Sequence, residues 1–257
     1  MCSVVVSFDP GAAVPVVLLG LRDELADRPW DPPAAWWPEL GDDVEGLRDR
    51  EAGGAWLATS RAPARLAVVL NRHERVEPPE GGFATRGDLP LRSVVHGDAA
   101  RVEGPHPTRP FNLVEATPDQ VTVTSWDGAA TVTSALGPGV HLVTHGAVDD
   151  RGVPRVARWL DAFRAAPRPR AAPPAVGRGE GDWTGWLDVL RDSARLDPED
   201  DEALVRSDRV AGRTLRSLSL SLVALGPDGA EHAHVRLDPA RTLADELAER
   251  ASGGVRP

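Results

Sequence analysis

The sequence has no lysine and no tyrosine, and its only thiol is Cys2. All 29 basic residues are therefore arginine, a bias of the kind that GC-rich coding produces. A lone cysteine excludes an internal disulfide framework, the multi-cysteine zinc patterns and a Cys-x-x-Cys-His haem attachment. Basic charge is scarce overall: the formal net charge is −10, and no basic run of useful length occurs. A nucleic-acid surface needs a positive face against phosphate, so that class of partner is not expected. No apolar stretch approaches a membrane span, and Asp9 interrupts the N-terminal hydrophobic run before a signal-peptide core can form. The expectation is a soluble, cytoplasmic protein that meets a small molecule; no feature assigns an oligomeric state. There is neither a G-x-S-x-G elbow nor a G-x-x-x-x-G-K phosphate loop. The acidic run Asp197–Glu202 lacks the central glycine of a calcium loop, and no metal site is expected.

What is present is a chain of 257 residues, 41% apolar and dominated by Ala and Val, enough for a packed core over one domain spanning 1–257. Residues 3–8 and 14–21 read as strands around Asp9-Pro10-Gly11. In the first, Cys2, Val4, Val6 and Phe8 share one face while Ser3, Val5 and Ser7 share the other, so both faces of that sheet are expected to be covered. The Pro- and Trp-rich stretch 28–38 reads as a packed loop. Further strands are expected at 53–59, 65–72, 111–116, 121–126, 130–134, 214–225 and 230–237, with Asp127-Gly128 and Gly226–Gly229 as hairpin turns. Helical spacing falls at about 92–100, 153–164, 183–195 and 242–251, and the Pro-, Ala- and Arg-rich residues 165–182 read as an exposed linker or mobile loop. Hairpins outnumber helices, which predicts an α+β fold with helix layers on stacked, mainly antiparallel sheets.

Cys2 stands out chemically. With the initiator methionine removed, thiol and α-amine belong to one residue, and an amine titrating near ~8 serves as base for its own side chain. His232 and His234 lie two apart on a strand and are expected to form a solvent-facing pair.

Several segments, taken in order, resemble the NRDE family, the Transport and Golgi Organization protein 2 homologues. They are Met1-Cys2 with its strand, Leu21-Arg22-Asp23-Glu24, Asp27-Arg28-Pro29 and Gly53-Gly54-Ala55-Trp56-Leu57. Leu70-Asn71-Arg72, Thr85-Arg86-Gly87-Asp88-Leu89, Phe111-Asn112-Leu113 and Gly212-Arg213-Thr214-Leu215-Arg216-Ser217 follow. The family is similar to N-terminal-nucleophile hydrolases, especially the choloylglycine hydrolase branch. That resemblance implies a four-layer αββα sandwich. It implies Cys2 as nucleophile, Arg22 and Asp23 as the pair that orients it, Asn71 as an oxyanion contact and Arg213 as a late-strand support. Leu21 stands where the family signature has Asn, and His145 where a later motif has Asn. Two functions are expected from it. One is an N-terminal cysteine amidase or acyl transferase cleaving C–N amide bonds without a cofactor. The other is a non-catalytic carrier for haem, acyl-CoA or another apolar ligand, with Trp30, Asn112 and the histidines at 73, 141 and 145 about it.

Overall fold

A computed structural model describes residues 1–97, 107–171 and 181–237. The expected C-terminal helix at 242–251, the end of the helix predicted at 92–100 and the middle half of the linker at 165–182 lie outside the described residues.

The chain opens with β1 (Ser3–Phe8) and β2 (Val16–Leu25), antiparallel through six residue pairs from Ser3–Leu21 to Phe8–Val16. It continues through β3 (Trp30–Ala34), β4 (Val44–Asp49), β5 (Ala55–Ser60) and β6 (Arg65–Asn71). After α1 (Asp88–His96) come β7 (Phe111–Thr117), β8 (Gln120–Trp126), β9 (Thr131–Ala135) and β10 (Gly139–Val143). The helices α2 (Pro154–Ala165) and α3 (Thr184–Ser193) precede β11 (Ser207–Val210), β12 (Arg213–Gly226) and β13 (Gly229–Arg236). One sheet runs β10-β1-β2-β12-β11 with β13 also on β12; the other runs β3 to β9 in sequence order. Every strand pairing within them is antiparallel, as hairpin connections require.

The alternation in β1 sorts as the pattern predicts. Val4, Val6 and Phe8 join Leu18 and the inward residues of the second sheet in one core, whereas Val5, Val17, Leu19 and Leu21 join α2 and α3 in another. α1 covers the far side of the second sheet through Leu89, Leu91 and Val94. The result is four layers, helix on sheet on sheet on helix, in agreement with the α+β expectation.

Three local expectations change. Residues 30–34 form a strand rather than a loop, with a register irregularity between Asp31 and Ala34. Pro32 and Pro33 are compatible with it because β3 is an edge, where a missing N–H leaves no ladder bond broken. β4, which lies beside it, has only a weak alternating signal and was not foreseen. His232 and His234 face inward, between β13 and the second sheet, instead of toward solvent; His234 lies 5.5 Å from the Trp30 ring. The ring nitrogens of His232 are buried, and burial pushes its pKa down to about 4.

Candidate active site

The site forms where the ends of β1 and β2 open over the second sheet. Pairing Ser3 with Leu21 and Val4 with Gly20 puts Cys2 beside Arg22 on the face toward the second sheet. Asp23, one residue on, belongs to the opposite face. Gly20 suits this approach: a Cβ there would meet Trp56 Cη2 of β5 at 3.0 Å, closer than an ordinary van der Waals contact.

Cys2, Arg22, Asp23 and Asn71 line one cavity of about 520 Å³ between the two sheets. The Asp23 backbone N–H donates to Cys2 Sγ at 3.3 Å, and the thiol lies 3.5 Å from the Asp23 carbonyl oxygen. The Met1 ammonium stands 3.1 Å from Asp23 Oδ2, and Ser217 Oγ donates to Asp23 Oδ1 at 2.6 Å. Arg155 of α2 approaches from the helix side, donating to the Met1 carbonyl at 2.7 Å and lying 3.9 Å from Asp23 Oδ2. Burial, reinforced by the Asp23 charge, pushes the Cys2 thiol up to about 11; the terminal ammonium, the Asp23 N–H and Arg22 act in the other direction.

Ser217 reaches Asp23 because β12 carries a bulge. Its register jumps from Ser217–Asp23 to Ser219–Arg22, which leaves Leu218 as the extra residue.

Arg22 Nη2 faces Asp49 at 3.5 Å and Glu24 at 3.7 Å. Asp49 is held more tightly by Arg28, at 2.5 and 3.1 Å. Burial opposes the Asp49 charge, but these guanidinium contacts and the Ala52 N–H outweigh it and hold the carboxyl below the usual range. Arg86 and Arg109 complete the basic lining.

Four expected site residues stand outside this cavity. Arg213 is exposed at the start of β12 and pairs with Asp27 at 2.8 Å; Ser217, four residues along, is the one that reaches the site. Asn112 is fully buried and spent on structure. Its Nδ2 donates to the Thr144 and Gly146 carbonyls at 2.9 and 2.7 Å, and its Oδ1 accepts from Arg72 and Ser125. Trp30 packs behind Arg22, whose Cζ lies 5.8 Å from its ring, with Arg236 stacked at 4.0 Å. His145 packs edge-on to His73 at 5.2 Å; burial and the Arg155 and His73 charges push it down to about 4. Leu21 is fully buried in the helix-side core, so the amide missing from the signature is missing from that side and not from the cavity wall.

Arg155, Ser217, Arg86, Arg109, Arg28 and Asp49 were not foreseen as site residues. Arg28, Arg86 and Ser217 lie in the segments Asp27-Arg28-Pro29, Thr85–Leu89 and Gly212–Ser217, but nothing in those segments marks their roles; Asp49, Arg109 and Arg155 lie in none of the segments and carry no spacing signal.

The family model described as Transport and Golgi organisation 2 matches residues 1–223. The chain belongs to that family. No curated protein matches the chain. Among solved structures it is similar to the Caenorhabditis elegans N-acylethanolamine-hydrolyzing acid amidase ortholog, at 12% identity and a TM-score of 0.49, covering 100% of each chain.

Proposed function

We propose that this Transport and Golgi organisation 2 family member is an N-terminal cysteine amidase or acyl transferase acting on a small amide or acyl compound. The observation that carries the reading is the position of Cys2. Its sulfur sits at the wall of a 520 Å³ cavity, on the residue next to an ammonium that Asp23 holds at 3.1 Å. Removal of Met1 moves that ammonium onto Cys2 itself, one residue nearer the sulfur.

In the resulting chain the neutral α-amine accepts the thiol proton as sulfur attacks the substrate carbonyl. A C–S bond forms, and the carbonyl π electrons move to oxygen. The Asn71 amide on the cavity wall supplies a donor for that developing oxyanion. Collapse breaks the C–N bond, and the α-ammonium returns its proton to the departing amine. Water, or an acceptor amine in the transferase, then attacks the thioester with the same amine as base, releasing acid or new amide and the thiol. Asp23, fixed by Ser217 and Arg155, orients the ammonium; Arg22 adds positive charge beside the sulfur.

Intact mass gives the first test, with a mature protein beginning at Cys2 as the expected result. The Cys2→Ala variant should then lose turnover across a panel of amides. A retained Met1, or unchanged turnover in that variant, defeats the mechanism.

A buried thiol pushed up to about 11 in the Met1-bearing chain is a weak nucleophile, which leaves one second reading, a non-catalytic carrier for haem, acyl-CoA or another apolar ligand on the same fold. Haem titration examines its haem version. A Soret shift that His145→Ala and His73→Ala abolish would support it, and no shift would remove it.

A further inference from the structure

The cavity over Cys2 has more arginine than its carboxylates can neutralise, in a protein whose net charge is −10. Local positive charge is thus not a by-product of a basic chain. Arg28 is answered by Asp49 and by Glu51 at 2.8 Å, and Arg22 by Asp49 and Glu24. Arg86 and Arg109 are different. Among the described residues neither pairs with a carboxylate: Arg86 Nη1 donates to the neutral Pro110 carbonyl at 2.9 Å, and Arg109 lies over the Phe83 ring at 5.0 Å. Burial and the neighbouring Arg109 charge both disfavour the Arg86 cation, only partly offset by Cys2 and Glu24. A largely buried Arg86 beside the exposed Arg109 charge is costly to keep unless an anion enters the cleft that both line. Both are also braced in advance, one by a carbonyl and one by a ring, which lowers the entropy lost on binding.

We propose that Arg86 and Arg109 form an anion subsite, and that the compound presented to Cys2 carries a carboxylate or phosphate group held there. The pair suits either group, since planar guanidinium forks match both oxyanions. The assignment rests on the cavity being the substrate site. It narrows the substrate from any small acyl compound to one that bears a fixed negative charge apart from its scissile carbonyl.

Calorimetric titration of the full chain with inorganic phosphate and, separately, succinate tests the subsite without turnover. The Cys2→Ala protein should bind as the wild type does, because the thiol is not a ligand of the anion. Arg109→Gln, an exposed change that spares the core, should weaken binding about tenfold, or ~1.4 kcal/mol. Arg86→Gln should do the same, and Arg195→Gln, on a remote exposed helix end, should have no effect. Tighter binding of phosphate assigns a phosphate-bearing compound, and tighter binding of succinate a carboxylate. Equal affinities in wild type and Arg109→Gln, or an equal loss in Arg195→Gln, overturn the proposal. Should amide turnover be absent while these losses occur, the amidase reading fails and the anion subsite stands.

Discussion

Arg22 and Asp23 are sequence neighbours that act on opposite sides of one sheet. Strand alternation sends Arg22 into the cavity with Cys2 and Asp23 toward α2, where Ser217 and Arg155 hold it below the chain terminus. Two consequences follow at this scale. A thiol at about 11 is almost wholly protonated at neutral pH, so Met1-bearing protein should alkylate slowly with iodoacetamide at pH 8 and faster as pH approaches 11. Chain beginning at Cys2 should react faster at pH 8; mass spectrometry of the adduct checks both, and identical rates would show that Met1 does not control the thiol. Replacing Ser217 by Ala strips a buried carboxylate of its 2.6 Å donor. That should cost about 1–3 kcal/mol of stability in a denaturant titration and lower turnover as well. Cys2 stood out in the sequence because position two is itself the signal. Ser217 and Arg155 were not, since only tertiary pairing brings residues so distant in the chain to Asp23.

Two of the resembling segments meet backbone to backbone. Ala55 N–H donates to the Gly87 carbonyl at 2.8 Å, and a Cβ on Gly54 would lie 2.4 Å from the Gly87 carbonyl carbon. The glycines of Gly53-Gly54-Ala55-Trp56-Leu57 and Thr85-Arg86-Gly87 thus lock the segment that carries Arg86 against β5, which carries Trp56 on the cavity wall. Gly54→Ala should push these segments apart, costing about 1–3 kcal/mol by analogy with overpacked cores. The thermal midpoint and phosphate affinity should fall together; an unchanged affinity would separate the glycine contact from the subsite. Strands with strong alternation were readable at this scale, as were the helices at 154–165 and 184–193. The edge strand β3 was not, because its prolines mask a pairing that only a neighbouring β4 makes available.

Across the whole molecule, the two sheets enclose groups that acid must charge. His232 is inward-facing and His145 partly buried, and both are depressed to about 4 from an ordinary 6.5. A histidine whose folded pKa is lowered takes its proton more readily when unfolded, so stability is full above about 6.5 and falls as pH drops toward 4. Denaturant titrations across that window should show the decline, with His232 alone accounting for up to about 3 kcal/mol. His232→Gln should flatten the slope; an unaltered slope would mean that His232 is already charged in the fold. The sequence by itself determined the layers and singled out Cys2. Alternation fixes which face of a strand is apolar, hairpin turns fix antiparallel neighbours, and a cysteine at position two needs no partner to be noticed. Tertiary structure decided which polar residues attend that cysteine. A bulge, a close glycine contact and the stacking of two sheets depend on distances between remote segments, and no spacing along the chain encodes them. Asn112 and Arg213 illustrate the difference: both lie in segments that resemble the family, yet one is consumed by backbone carbonyls and the other by Asp27 at the surface.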